Sequence, residues 1–598
     1  MTYLGMFFKK TENILAVIIF IAMAVLPFIE IIARLFSTNF IPSSMVIVQH
    51  MTLWIGFIGA IIASRKNKLL SLTTSPIYKK DELFHPGRWL AKNISFLVVI
   101  CLAYGSYNLV SIEYDYPFNI APKIPRWSAM IIMPFGFIIM AIHMFMNSYK
   151  NYFFSLLFIT TGTIIYLVSS SWTLQENTYI LFLGLLVLFI SLIYGAPIFV
   201  GLGGAAILLF WSDYTSLSAI PAEAYRIVVN PSLPVIPLFT LAGYLLAESG
   251  TSTRLVNVFR SLFGWIPGGT PAVVVILCGF FTALTGGSGV TILALGGLLL
   301  PLLIKEGYSR KFSLGLITVS GSIGLLFPPS LPAIIYGVTA GISVKNVFVA
   351  GLMPGMLLVL LISSYAFYQG KSQKINIQNF NRQKAILSCK ETIWELLIPV
   401  LVLFGVFSGY TTIVETAAMV VLYVFTIEYF VYKDLDIAKL PRIIVDCSTL
   451  IGGVIIILGV AMGLTSYLVD AQVPMHLLEW AQDTISSKYL FLFLLNLFLL
   501  AAGCLMDVFS AIIVIVPLIK PLGNHFGIEP FHMAIIFIAN LELGFLTPPV
   551  GMNLFLAAYR FDVDMPKIYR ATLPFFIVKL LAVALITYFP IITLGLLN

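Results

Sequence analysis

The sequence predicts an all-α polytopic membrane protein, and three observations carry that prediction. The chain has 598 residues, 60% of them hydrophobic and only 10% charged, where ordinary globular domains carry roughly 25% charge. Apolar runs of about 18 residues or more, long enough to cross the hydrocarbon core, recur along it. A double proline is written twice between such runs, in Gly324-Leu-Leu-Phe-Pro328-Pro329-Ser330-Leu-Pro332 and in Gly544-Phe-Leu-Thr-Pro548-Pro549-Val550-Gly551-Met-Asn553. Proline removes a backbone donor and breaks a helix, so each phrase marks a helix interrupted inside the bilayer.

The first block, residues 1–150, reads as four helices with spans over 14–32, 45–63, 94–110 and 127–146. The first run is long and lacks a small-residue cleavage site, so it reads as a span and not as a signal peptide. The loop 64–92 holds seven Lys and Arg against Asp81 and Glu82 and is expected on the cytoplasmic side, with Lys9 and Lys10. The net charge of +8 is therefore a topology signal and not a nucleic-acid footprint. Residues 151–178 supply one more apolar run and a polar linker, which read as a fusion helix. Residues 179–598 form a larger block, divided at a basic loop from Lys371 to Lys390 into repeats over 179–370 and 391–598.

The larger block repeats one order of parts. The apolar segment 271–303 is interrupted at Thr285-Gly286-Gly287-Ser288-Gly289-Val-Thr291, and the segment 490–519 at Gly503-Cys-Leu-Met-Asp507-Val-Phe-Ser510. Each is followed by its double-proline phrase, with a few residues' difference in spacing. Arg254, Arg260, Arg310 and Lys311 flank the first interrupted segment, whereas acids are commoner around the second. Scarcity of Lys and Arg around the second copy implies opposite orientation, hence an inverted-topology repeat. Two re-entrant hairpins with tips at Ser288 and Asp507 are expected, with two broken helices beside them.

A helix broken at mid-depth exposes carbonyls on one stub and amide N–H groups on the other. The carbonyls suit Na⁺; the amide end attracts an anion. Gly286, Gly287, Gly289, Gly324, Gly544 and Gly551 allow close backbone approach. Ser288, Thr291, Ser330, Ser510, Thr547 and Asn553 add neutral oxygens, and Asp507 adds an intramembrane carboxylate, a functional hypothesis by default. Against this stands the bland role of small residues in helix packing. Glu542 reads as a residue that orients the second loop, and Lys579 as a lysine near a span end that snorkels. His50 and His143 lie in or near apolar spans without carboxylate partners in the sequence. The five cysteines have neither zinc nor disulfide spacing and read as small core hydrophobes. No catalytic or nucleotide-binding motif stands in a usable context, so the protein is not expected to be an enzyme.

Taken together, Pro237-Leu-Phe-Thr-Leu-Ala-Gly243-Tyr244, Thr285 to Thr291, the PPS phrase with Tyr336-Gly337, Ala350-Gly-Leu-Met-Pro354-Gly355, Met506-Asp507 and the TPPVGMN phrase are similar to a known family. The chain resembles a TRAP (tripartite ATP-independent periplasmic) transporter permease with its small and large membrane subunits fused. The small block departs from the pattern: Val48-Gln49-His50 stands where many members have a Trp followed by two acids. The resemblance implies Na⁺-coupled uptake of an organic acid, by default a C4-dicarboxylate, across a bacterial inner membrane, with the hairpin-bearing core of the large block moving as an elevator. A periplasmic solute-binding protein would deliver the substrate, and Na⁺ would be the coupling ion with no organic cofactor. Carried over by position, one Na⁺ site would use Gly286, Ser288 and Thr291 with Pro328, Pro329 and Ser330. A second would use Asp507 and Ser510 with Thr547, Pro548 and Gly551. The substrate would lie between them, near Gly287, Gly289, Pro332 and Asn553. The alternatives are a binding-protein-independent Na⁺/dicarboxylate symporter and an ion channel.

Overall fold

The structure is a computed structural model. It describes residues 3–36, 43–71, 86–148, 178–266, 268–372, 380–506, 508–548 and 551–597. Among the described residues nine helices are long and apolar enough to cross a membrane, and an all-α multi-pass architecture is what the sequence predicts. The chain forms two compact units, one of residues 1–234 with 444–474 and the other of residues 235–443 with 475–598. This cuts the chain differently from the linear division at 150 and 179. Except for Thr178, the expected fusion helix lies outside the described residues.

In the first unit the four expected spans appear as Lys9–Arg34, Ser44–Arg65, Gly87–Asp115 and Arg126–Met146. They are longer than the apolar runs because polar residues at their ends continue the helical hydrogen bonding. A short antiparallel hairpin, Asn119–Ala121 with Ile124–Pro125, separates the last two. Ser44–Arg65 crosses Leu440–Asp470 at glycine. A Cβ on Gly59 would fall 2.0 Å from the Ser448 carbonyl oxygen, and one on Gly452 2.0 Å from the Ala60 nitrogen. Small residues of this kind let two membrane helices touch through their backbones, and they explain why 444–474 folds with the N-terminal block. His143 proves to have a carboxylate neighbour: its Nε2 lies 3.6 Å from Glu12, which Arg65 also binds. His50 Nε2 lies 2.7 Å from the Tyr225 hydroxyl.

The second unit contains both double-proline phrases. Its repeat is tighter than the sequence suggested, because corresponding parts stand 220 or 221 residues apart. The second arms of the two hairpins are Ser288–Lys305 and Val508–His525, 18 residues each. Gly307 and Gly527, both at positive φ, end the turns that follow. Ser309 and Glu529 then cap helices that begin at Arg310 and Pro530. The ten-residue helices Leu331–Ala340 and Met552–Phe561 follow the breaks. Val344–Ser372 and Met565–Tyr588 close the two halves, with Pro354 and Pro574 at matching places. Arg254 and Arg260, flanking charges in the topology argument, are also engaged in ion pairs. Arg254 binds Glu395, Glu428 and Asp434 and stacks 3.8 Å over the Tyr432 ring, while Arg260 Nε lies 2.8 Å from Glu306.

Candidate functional site

The first hairpin turns on two glycines. Gly269–Thr285 ends where Gly286 takes the left-handed conformation at φ 69°, Gly287 is extended, and Ser288 already begins the next helix. The break is therefore narrower than the interval 285–291 expected from sequence. Ser288 and Thr291 lie in the first helical turn, because a left-handed glycine reverses the chain without further residues. The first amides of that helix have no intrahelical partner and form the positive end of its dipole. In the second hairpin Lys488–Leu505 and Val508–His525 leave only Met506 and Asp507 between them. Asp507 lies outside the described residues, as do Pro549 and Val550.

The first broken helix unwinds after Ser320. Residues Ile323–Leu326 make a 3-10 turn, Phe327 is extended, and Leu331–Ala340 resumes at an angle of 40°. Ser330 caps the resumed helix by accepting from the Ala333 amide, so its hydroxyl is engaged in holding the break. Pro329 and Pro332 are buried and Pro328 is half-buried. The second break has a left-handed glycine at the place of that cap: Gly551, φ 37°. A Cβ on Gly551 would lie 2.7 Å from the Thr547 carbonyl oxygen and 3.1 Å from that of Phe545. Two backbone carbonyls thus converge on this point. Thr547 Oγ1 donates to the Gly544 carbonyl at 2.6 Å, and the Cys504 thiol donates to the Pro548 carbonyl at 2.9 Å.

The first tip meets both phrases. A Cβ on Gly286 would overlap Leu331, the first residue after Ser330, and one on Gly289 would come 2.4 Å from Leu556. Ser288 Oγ donates to Asn553 Oδ1 at 2.6 Å across 265 residues. Both side chains are buried, and Asn553 Nδ2 is buried with no hydrogen-bond partner among the described residues. A fully desolvated amide donor without an acceptor is costly. Thr291 joins a second network that sequence reasoning missed. Thr282 Oγ1 lies 2.7 Å from both Thr291 Oγ1 and the Gly321 carbonyl oxygen. Ser510 is fully buried in the helix Val508–His525.

Lys579 overturns the snorkelling expectation. It stands well inside Met565–Tyr588 and is 1% exposed, paired with Glu542 and donating to Ser322 Oγ at 2.9 Å. A lysine can reach water only from near a membrane surface; this one reaches a carboxylate instead. The spacing between the two phrases makes Glu542 the counterpart of Ser322, but nothing in the sequence points from either to Lys579.

Two family models match the chain. That of the DctM component of the tripartite ATP-independent periplasmic transporters matches residues 185–592, and that of the DctQ component matches residues 23–153. The chain belongs to the TRAP transporters, with both membrane components in one polypeptide. It is 32% identical over 400 residues to the C4-dicarboxylate TRAP transporter large permease protein DctM of Pseudomonas aeruginosa, covering 67% of this chain and 93% of that protein. The isethionate TRAP transporter permease protein DctMQ of Oleidesulfovibrio alaskensis is 27% identical over 558 residues, 91% of this chain and 87% of its own length. The ectoine TRAP transporter large permease protein TeaC of Halomonas elongata is 28% identical over 410 residues, 67% of this chain and 95% of its own. This TRAP permease is a multi-pass protein of the inner membrane, and permeases of its family carry small molecules together with a periplasmic solute-binding protein.

Proposed function

We propose that this TRAP permease couples Na⁺ entry to uptake of an organic acid handed over by a periplasmic solute-binding protein. The observation that carries the reading is the Ser288–Asn553 contact, which joins the first hairpin tip to the second broken helix. Beside it lie the ingredients a cation and an anion need. Carbonyls of Phe545 and Thr547 converge near Gly551 and suit a hard cation that takes oxygen ligands. The unpartnered Asn553 amide and the amide end of the helix Ser288–Lys305 suit an oxyanion. On this reading Gly286, Ser288 and Thr291 with Pro328 to Ser330 frame one Na⁺ site, and Asp507 and Ser510 with Thr547, Pro548 and Gly551 frame the other. Gly287, Gly289, Pro332 and Asn553 face the substrate.

C4-dicarboxylate, isethionate and ectoine, named for the three relatives above, each present an oxyanion, and a C4-dicarboxylate is the default substrate. Each net positive charge that enters supplies about 2.3 kcal/mol per 100 mV, and a tenfold Na⁺ gradient adds roughly 1.4 kcal/mol per ion. Enough Na⁺ to outnumber the charges of the anion then accumulates it without ATP. An elevator-type displacement of the hairpin-bearing unit would expose the site alternately. Uptake into proteoliposomes holding the full chain, with its solute-binding protein outside, tests the proposal. Accumulation is expected only with inward-directed Na⁺. Equal uptake with K⁺ replacing Na⁺ would refute Na⁺ coupling, and equal uptake without the binding protein would favour the direct symporter.

A further inference from the structure

The proposed function gives no role to the ion pair buried behind the two breaks. Lys579 Nζ donates to Ser322 Oγ at 2.9 Å, to the Val319 carbonyl at 3.3 Å and to Glu542 Oε1, which uses all three of its protons. Lys579 and Glu542 are 1% exposed and Ser322 is 0% exposed. Ser322 and Glu542 are equivalent positions of the two repeats. Each stands two residues before the glycine of its phrase, Gly324 or Gly544, and six before its first proline, Pro328 or Pro548. Counted by the same separation of 220 residues, the first-repeat partner of Lys579 is Val359, which brings no amine. One ammonium therefore holds matching points just ahead of both breaks, Ser322 where the first helix has ended and Glu542 in the last turn of the second, and the repeats are symmetric in which position is held but not in what holds it.

A buried pair of this kind adds little stability over apolar packing and is kept where it specifies geometry. Loss of the amine would strip Glu542 Oε1 of its partner, and Oε2 of the same carboxyl already has none among the described residues. We propose that Lys579 is a positioning residue that joins the chain just ahead of the two unwound loops, so that a ligand bound at one loop fixes the backbone leading into the other. Its consequence for cation binding rests on the Na⁺ reading above; the mechanical link does not.

Hydrogen exchange read by mass spectrometry on the full chain in nanodiscs separates the two. In Glu542→Gln, which leaves the first repeat untouched in sequence, exchange is expected to rise at least tenfold in both 322–327 and 543–547. The helix Val344–Ser372 should not change. Lys579→Arg should restore most of the protection that Lys579→Met loses. A rise confined to 543–547, or a uniform rise across the protein, would overturn the link. Ser322→Ala removes a single hydrogen bond and supplies the uptake arm, since it spares the charge pair. Its Na⁺ activation curve should lose cooperativity, with the Hill coefficient moving towards 1, while maximal uptake stays within about twofold. An unchanged curve would show that the link does not serve cation binding. Uptake indifferent to Na⁺ in the unaltered protein would refute the Na⁺ reading and leave the exchange result to decide the link.

Discussion

Ser322 in the first repeat and Glu542 in the second occupy the same place, and the two loops they precede differ in how they hold their shape. The first loop is neutral: a 3-10 turn, a serine cap at Ser330 and apolar neighbours. The second follows a buried carboxylate and contains a left-handed Gly551 and converging carbonyls. Both, however, are reached by the adjoining hairpin arm through a glycine. A Cβ on Gly324 would fall 2.2 Å from the Gly279 carbonyl oxygen, and one on Gly544 2.6 Å from the Gly503 Cα. Close backbone contact is the shared requirement, and charge is what the second repeat adds to it.

The largest expected effects test the shared requirement. In Gly324→Ala and Gly544→Ala the new methyl meets backbone, which cannot swing aside. Each should cost about 3 kcal/mol, roughly a hundredfold in the population of the working geometry. Uptake per folded protein should fall to a few per cent of normal in both variants. If only one of them failed, the two breaks would not be equivalent devices.

The next effect is smaller and confined to the first tip. Gly286→Ala forces an L-residue into the left-handed region, at about 1–2 kcal/mol, and meets Leu331 as well. Gly287→Ala sits in extended backbone at φ −136° and should change stability by less than about 0.5 kcal/mol. Gly341→Ala serves as the reference, because it shares the positive φ, 66°, with nothing within 4 Å. Thermal unfolding in detergent should rank Gly286→Ala below Gly341→Ala and both below Gly287→Ala. Equal losses at Gly286 and Gly341 would mean that the contact with Leu331 carries no weight.

Much of this was legible in the sequence, because it was written in residue types with a strong backbone meaning. Double prolines, paired glycines and apolar runs marked the breaks and the hairpins. The separation of 220 residues between the two phrases was also present in the sequence. It was obscured by matching Pro301 with Pro517, whereas the helix bounds pair Ser288 with Val508. The Ser288–Asn553 contact and the Lys579 pair could not be read, because each joins residues of different helices and no periodicity points from one to the other. The left-handed Gly286 narrowed a break that the cluster of small residues had made look seven residues wide. Asp507, on which one expected Na⁺ site depends, lies outside the described residues, so that site stays a proposal.

The Ser288–Asn553 contact separates the substrate role from the packing role. Ser288→Ala removes one buried hydrogen bond, at about 1–2 kcal/mol. Asn553→Asp keeps the shape but replaces the unpartnered donor by an acceptor facing the same place. On the substrate reading it should raise the half-saturating anion concentration by about tenfold or more, while Ser288→Ala raises it about threefold. A purely structural contact would instead lower maximal uptake in both variants and leave half-saturation alone.

The smallest effect returns to the comparison of the two repeats at the caps of their broken helices. Ser309 accepts one amide, that of Phe312, at 3.3 Å, whereas Glu529 accepts two, from Phe531 at 2.7 Å and His532 at 2.9 Å. A carboxylate at a helix start also meets the positive end of the dipole. Ser309→Ala should therefore cost about 1 kcal/mol, and Glu529→Ala about 2 kcal/mol, since charge-assisted bonds are roughly twice as strong. Glu529→Ser would convert the second cap into the first and should recover about half of that loss. Thermal unfolding of the three variants checks the order. If Glu529→Ser were no better than Glu529→Ala, the second repeat would need the charge of its cap and not merely an acceptor, and the asymmetry seen at Glu542 would extend to the start of the same helix.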